Sequence, residues 1–380
     1  MKINILSPGR FHVCDLAREL AAHGHDVRFY SFVPKSRTHK FGLPDACARP
    51  VLIWVVLPLI LSRVLGKMGL SNWANHAVNW WLDLVVSCLM EPCDVVIAMS
   101  GIFHRSITRA KSKWGSKILI ERGSRHILSQ KKILDELRLL NSKAKTVSES
   151  DVWHELRDYE IADRIVVPSR HVVESFVEFG VAEKRLFGNP YGVDLSMFSP
   201  TFTPSGKPTV LMTGSWCYRK GCDFLAEAMK ETGYRLLHAG PQGDCPFPTE
   251  GWFETVGVLD QSILKNTYAR AHVFVLPSRE DGWGLVLAQA LACGLSIVCS
   301  DKTGGRDLLE MMDDKNKVII INSGDVDALR EGIVKAMSFA LDCQGLRQIS
   351  ESAREQMSWK AYGERYHHFL TNLVNGSKHE

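Results

Sequence analysis

Short apolar runs that end in a small-residue turn and open onto a helical pattern recur along this chain, and that recurrence constrains the fold more than any single residue. The first copy is Lys2 to Leu6, followed by Ser7-Pro8-Gly9-Arg10 and by apolar residues at Val13, Leu16, Ala17, Leu20 and Ala21. Spacings of three and four put those residues on one face of a helix. Gly24 stops that helix, and Asp26 to Phe32 supplies the next strand. The opening is therefore a βαβ unit, which predicts an α/β fold with a parallel sheet. Further strand-like runs at Asp94 to Met99, Lys117 to Ile120 and Arg164 to Val167 extend the same doubly wound domain.

Three prolines and several small polar residues between Ser199 and Pro208 break the periodicity, as an interdomain linker does. Beyond it the pattern resumes with strand candidates at Thr209 to Met212, Tyr234 to Ala239, Val273 to Leu276, Ser296 to Cys299 and Lys317 to Ile321. A chain of 380 residues has room for two such domains. Ligands of doubly wound sheets bind beyond the carboxyl ends of the strands, here in a cleft between facing domains.

Composition excludes several classes. At 45% hydrophobic and 23% charged residues the chain is globular rather than disordered or collagen-like. Its 46 Lys+Arg against 42 Asp+Glu leave +4, too little to imply nucleic-acid binding. Ten cysteines include no CxxC pair, and Cys14, Cys88, Cys93, Cys293 and Cys299 sit in or beside apolar segments, as reduced thiols do. Met1-Lys2 runs straight into the first strand, without the apolar region of a signal peptide, so the expected location is the cytoplasm. Val51 to Leu61 is apolar but contains Pro58 and is about half of a spanning length. With Arg63, Lys67, Trp73, Trp80 and Trp81 after it, the region 51–89 fits either peripheral contact with the inner face of a membrane or helices packed in the first domain.

Three loops of the second half carry the chemistry. Pro277 to Gly294 reads as strand, glycine loop and helix, with Gly282 and Gly284 permitting close approach and backbone N–H groups facing a phosphate at the helix start. Asp281 and Gln289 are eight apart, so they reach two parts of one extended ligand; a capping Asp and a solvated Gln fit the same pattern. Met212 to Leu225 has the same form, with Gly214 and Ser215 after the strand and Arg219-Lys220-Gly221 before the helix. Adjacent cations there can neutralise a diphosphate. Asp301 to Asp307 contains Gly304-Gly305 at the third such position.

These motifs resemble the retaining glycosyltransferases of family 4, which have the GT-B fold. The resemblance rests on Asn189-Pro190-Tyr191-Gly192-Val193-Asp194 with Phe198, on the Arg219-Lys220-Gly221 loop, and on Pro277-Ser278 through Asp281-Gly282-Trp283-Gly284-Leu285-Val286. Thr303-Gly304-Gly305 and Ser358-Trp359 agree with it. It implies two facing Rossmann-like domains with a deep interdomain cleft. Residues 1–198 would present the acceptor, 199–208 would link, 209–358 would bind a nucleotide-sugar, and 359–380 would form a helix returning to the first domain. It further implies that Lys220, with Arg219, stabilises the departing diphosphate, and that Asp281 contacts the donor sugar. Gln289 would meet the ribose, and Gly9, Gly214, Ser215, Gly282 to Val286 and Gly304-Gly305 would surround the donor. Ser215 and Gln289 stand where the family commonly has Arg and Glu. Arg122 or His126, after the Lys117 to Ile120 strand, takes the position of a His that contacts the sugar or diphosphate. Ser100-Gly101 and His104 form another edge of the cleft.

No metal or other cofactor is expected: Asp325-Val326-Asp327 has the DxD form but reads as a helix N-cap with a first-turn acid. The implied activity is transfer of a sugar from a UDP- or GDP-linked donor to a glycan or lipid-linked acceptor in surface polysaccharide biosynthesis. An impaired nucleotide-sugar-binding protein and a nucleotide-sugar 2-epimerase are the alternatives. A first βα turn with only Gly9 in place of GxGxxG argues against a dinucleotide-dependent oxidoreductase.

Overall fold

The structure is a computed structural model that describes residues 1–380 except 68–70, 143, 145, 344 and 377–380, with the side chains of 57, 63–67, 71–75 and 376 also outside the description. Arg63, Lys67 and Trp73 therefore lie outside the described side chains. The first sheet comprises β1 (Lys2–Leu6), β2 (Asp26–Ser31), β3 (Ala48–Pro50), β4 (Val95–Met99), β5 (Lys117–Glu121), β6 (Arg164–Val167) and β7 (Leu186–Gly188). Its strands are parallel in the order β3-β2-β1-β4-β5-β6-β7. A short strand β8 (Thr201–Phe202) follows. The second sheet is built from β9 (Thr209–Thr213), β10 (Arg235–Ala239), β11 (Phe253–Thr255), β12 (Val273–Leu276), β13 (Ser296–Ser300) and β14 (Val318–Ile321). It is parallel, in the order β11-β10-β9-β12-β13-β14. In both, the order reverses beside the first strand of the domain, and the crevice at that switch point is where a ligand is expected.

Helices cover both faces of each sheet, which is why the strands are apolar throughout rather than alternating. Within β4, Val95 and Ile97 join the core beneath the helix Phe11–Ala22, while Val96 and Ala98 join the core on the opposite face. Two helices, Leu52–Lys67 and Ser71–Leu89, form a hairpin on that second face and bury Val55, Val78, Leu82 and Val86. Their other side is apolar as well. Ile53, Trp54, Ile60 and Leu61 are exposed, as are Trp80 and Trp81.

The expected linker is not a free connection. Thr201 and Phe202 pair antiparallel with β15 (Leu346–Arg347), Thr201 bonds the Cys293 carbonyl at 2.8 Å, and buried Arg347 donates to the Thr201 hydroxyl at 2.6 Å. Backbone pairing at these four residues attaches the segment to the second domain, a nonlocal contact that no local pattern announces. The last helix, Trp359–Gly376, returns to the first domain and buries Tyr362, Tyr366 and Leu370, four residues apart, beside the helix Phe11–Ala22. Gly363 permits this, since a Cβ there would overlap the side chain of Glu19. The Asn189 to Asp194 motif forms the junction. Arg365 bonds the Asn189 side chain and the Pro190 carbonyl, both at 2.7 Å, and a Cβ on Gly192 would lie 2.5 Å from the Trp359 backbone. All ten cysteines are unpaired.

Candidate active site

Backbone contacts tie the three loops at the carboxyl edge of the second sheet into one unit. Gly221 adopts φ +69°, and a Cβ there would overlap the Pro277 carbonyl, so only glycine lets the Tyr218–Lys220 turn lie against the end of β12. The Arg279 N–H donates to the Arg219 carbonyl at 2.9 Å, and its guanidinium grips Asp223 through two 2.6 Å bonds while stacking on Phe224. On the other side, the Asp281 N–H donates to the Lys302 carbonyl and the Gly304 N–H to the Trp283 carbonyl, each at 3.0 Å. Arg279 is thus a strut for the two cations beside it. The Arg-Glu-Asp run around it gives no such signal, because the strut forms only across two loops.

Lys220 Nζ is ion-paired to Asp281 Oδ2, with both side chains about 15% exposed. Burial alone would push the Asp281 carboxyl up, but Lys220 and Arg219 outweigh it and hold its pKa below the usual range. Arg219 donates to the Glu280 carbonyl at 2.9 Å and to its carboxylate at 3.2 Å. Glu280 is fully buried and reaches across the cleft to the Ser124 hydroxyl, and Gln130 donates to Ser124 at 2.9 Å. Arg122 donates to Gln130 at 2.7 Å and to Glu155 at 2.8 Å. One polar chain therefore runs from Arg219 in the second domain to Glu155 in the first. Glu280, Gln130 and Glu155 are its members that the motifs did not single out.

The domains meet closely at Gly282. A Cβ there would overlap the Gly123 carbonyl, and the Gly282 carbonyl accepts from the Ser169 hydroxyl at 2.5 Å. Two cavities lie between the domains, the first of them at this contact. One, of about 940 Å³, is lined by Ser124, Ser215, Arg219, Asp281 and Gly282; the other, of about 450 Å³, by Arg10, His12, Gln261, Leu285 and Gln289. Asp281 and Gln289 thus face different compartments of the cleft. The Gln289 carbonyl oxygen accepts from the Tyr268 hydroxyl at 3.0 Å. Gly284, at φ +73°, starts the helix Leu285–Ala292 without a side-chain cap.

Several expected contacts change character. His126 is 3% exposed, accepts from the Leu128 N–H as the cap of the helix Ile127–Leu140, and stacks on Phe179. Burial, with Arg122 nearby, pushes its pKa down to about 4, which favours the neutral ring, and His126 lines neither of the two cavities. Arg122 donates to Glu155 and Gln130 and is a link in the interdomain chain. The Trp283 indole is buried against Gly304, which leaves only its backbone at the loop. Gly305 opens the helix Gly305–Met311, with its N–H bonded to Thr303. Gly214 sits at φ +121° with its carbonyl bonded to His238. Gly9 follows β1, where its carbonyl accepts from Ser7. Near it, His12 stacks on Tyr191 and bonds Glu121 at 3.0 Å, while Tyr366 of the returning helix bonds the same carboxylate at 2.6 Å. His104 is held by Asp158 at 3.0 Å. Asp325 caps its helix by accepting from the Ala328 N–H at 2.9 Å, and among the described residues no group of three or more His, Cys, Asp or Glu converges to hold a metal.

Comparison with known proteins agrees with this architecture. Residues 10–197 match the model of Glycosyltransferase Family 4, and residues 207–338 match that of Glycosyl transferases group 1. The chain is 34% identical over 88 residues to O-antigen chain mannosyltransferase B of Escherichia coli, a match covering 23% of this chain and 22% of that protein. It is 28% identical over 165 residues to a GDP-mannose-dependent alpha-mannosyltransferase of Mycobacterium tuberculosis, covering 40% and 42%. The matched segments thus span less than half the length of these two curated relatives. Sucrose-phosphate synthase from Thermosynechococcus elongatus superposes with a TM-score of 0.67 at 18% identity, over 99% of this chain and 100% of that one, which establishes the shared two-domain GT-B fold. With matching models over both halves and that fold, the chain belongs to glycosyltransferase family 4, and its second half is a group 1 glycosyl transferase domain.

Proposed function

We propose that the chain transfers a sugar from a UDP- or GDP-linked donor to a hydroxyl of a glycan or lipid-linked acceptor, with retention of anomeric configuration, in surface polysaccharide assembly. The Lys220–Asp281 pair at the mouth of the Leu285–Ala292 helix carries this reading. Lys220 takes the donor diphosphate and offsets the charge that builds as the glycosidic bond breaks, Arg219 adds a second cation, and Asp281 accepts from the sugar hydroxyls. Gln289 meets the ribose diol in the adjoining compartment. Protein cations and helix-start amides do the work at the diphosphate, with no metal. The names of the mannosyltransferase relatives support a nucleoside diphosphate donor and a polysaccharide setting.

The exposed apolar side of the helical hairpin supports a place at the inner face of a membrane. Among the described residues no helix is long and apolar enough to cross one. A thermal-shift screen of nucleoside diphosphates and their sugars, with and without magnesium, tests the donor site, since a ligand of the native state raises apparent stability. Metal-independent stabilisation by one nucleotide family is expected. No stabilisation by any of them would overturn the reading, and stabilisation without turnover would leave a binding protein. An inverted product anomer would remove retention.

A further inference from the structure

A second groove lies in the first domain, apart from the donor cavities. It encloses about 970 Å³ between the helices Ser71–Leu89, His104–Trp114 and Glu149–Ile161. Arg105, Arg109 and Lys113 occur every four residues on one of these helices, so they form a single stripe along the groove, and Arg157 faces them from another. Among the described residues none of the four has a carboxylate partner. The two acids in the lining are otherwise engaged: Asp83 accepts from the N–H groups of Arg105 and Ser106 and from the Ser106 hydroxyl, and Asp151 bonds Ser148. In a chain whose formal charge is only +4, four such cations in one groove are a local excess.

Two half-exposed indoles flank them. Arg105 lies over the Trp80 ring at 5.6 Å and Arg157 over the Trp153 ring at 4.2 Å. Trp80 also belongs to the hairpin whose neighbouring helix exposes Ile53, Trp54, Ile60 and Leu61, and the Trp81 indole N–H bonds the Trp54 carbonyl at 2.8 Å. A continuous surface thus runs from an apolar face to a cationic trough. At its inner end the groove reaches Gly101 and His104, beyond the carboxyl end of β4. There the Gly101 N–H donates to Asp158 at 2.7 Å, and Glu155, against Gly101, is the last member of the chain that leads to Arg219.

We propose that this groove binds the diphosphate of a lipid-linked acceptor, with the hydrocarbon chain along the exposed hairpin and the group to be glycosylated directed past Gly101 towards the cleft. Forked guanidinium groups and an ammonium that no carboxylate neutralises among the described residues are complementary to adjacent phosphates, although Arg109 also donates to the Ser87 carbonyl. Indoles beside them suit the boundary between a polar head and an apolar chain. The acceptor role rests on the transferase reading; the binding of a lipid diphosphate does not.

The full chain is tested for binding to three vesicles: neutral phosphatidylcholine, phosphatidylcholine with phosphatidylglycerol, and phosphatidylcholine with a polyprenyl diphosphate at matched surface charge. Tightest binding to the third is expected. Arg105→Ala combined with Lys113→Ala should weaken it by roughly thirty-fold, about five-fold for each cation. Both side chains are exposed, and an unchanged thermal shift with nucleotide shows that the variant is folded. Equal binding to the two anionic vesicles would make the groove a general anionic-surface contact and overturn the proposal, as would full affinity of the variant. Inorganic diphosphate that binds the free chain as tightly as the lipid vesicle would remove the lipid from it. Failure of nucleotides to stabilise the native chain, with vesicle binding retained, would instead sink the transferase reading and leave the groove standing.

Discussion

The two halves share a doubly wound sheet but spend their charged residues differently. In the second domain, glycines bring three loops together and every cation of the site has an internal partner: Arg279 with Asp223, Lys220 with Asp281, Arg219 with Glu280. In the first, the cations of the groove at Arg105, Arg109, Lys113 and Arg157 have no carboxylate partner among the described residues, Arg109 donating to the Ser87 carbonyl instead, and an apolar face beside them is exposed. Paired charges fix a site's shape from within, whereas cations that no carboxylate neutralises are open to an anionic partner from outside. On the roles proposed above, the contrast would separate a preformed donor pocket from an acceptor surface completed by what binds it.

The sharpest way to break this comparison is Lys220→Ala. If the pair is donor machinery, turnover should fall by about 10²–10³-fold, the usual cost of losing one preorganised charge at a developing anion. Equal activity would remove the central assignment. Next comes Gly282→Ala, whose methyl group would overlap the Gly123 carbonyl. Overpacking of this kind costs about 1–3 kcal/mol, and here it should fall on domain closure rather than on folding. The check is a larger radius of gyration in solution scattering together with reduced turnover, while nucleotide binding to the second domain persists. Trp54→Ser sharpens the other side: vesicle affinity should drop by roughly 1 kcal/mol, part of the value of burying a large apolar side chain, with nucleotide-induced stabilisation unchanged.

The smallest effect concerns pH. His171 is 1% exposed beside Ser169, the residue that holds Gly282, and burial lowers its pKa from 6.5 to about 4. The fold therefore favours the neutral ring. Its contribution to stability is complete above pH 6.5 and is lost as pH falls towards 4. His171→Gln should flatten that part of the Tm profile by a few degrees; an unchanged slope would remove this residue from the junction's pH response.

Long strands and glycine loops were legible because their signals are local. Runs such as Lys2–Leu6 and Val273–Leu276 carry their own pattern, and the Arg219-Lys220-Gly221 and Asp281 to Gly284 loops announce a turn wherever they occur. The three-residue strands β3, β7 and β11 are too short to show a period, and β8 exists only because Leu346 and Arg347 pair with it from far along the chain. Glu280 could not be told from a solvated acid, since its burial depends on Arg219 and Ser124 meeting from opposite domains. His126 misled for the same reason in reverse: its position after a strand suited a ligand contact, but Phe179 and the following helix claim the ring. The four-residue spacing of Arg105, Arg109 and Lys113 was visible, whereas Arg157 and Trp153, which make it one wall of a groove, lie some fifty residues away.

The Lys220–Asp281 contact has one more consequence. If the roles proposed above hold, each side chain is a tethered stand-in for what its partner would hold, the carboxylate in place of phosphate and the ammonium in place of a sugar's hydroxyl hydrogens. A bare nucleoside diphosphate would then claim the lysine only by stranding the carboxylate in a largely dry site, whereas an intact nucleotide-sugar would replace both at once. On that proposal the pocket would favour donor over product, and the same ion pair that keeps the loops in register would hasten the departure of the leaving group once the sugar is gone.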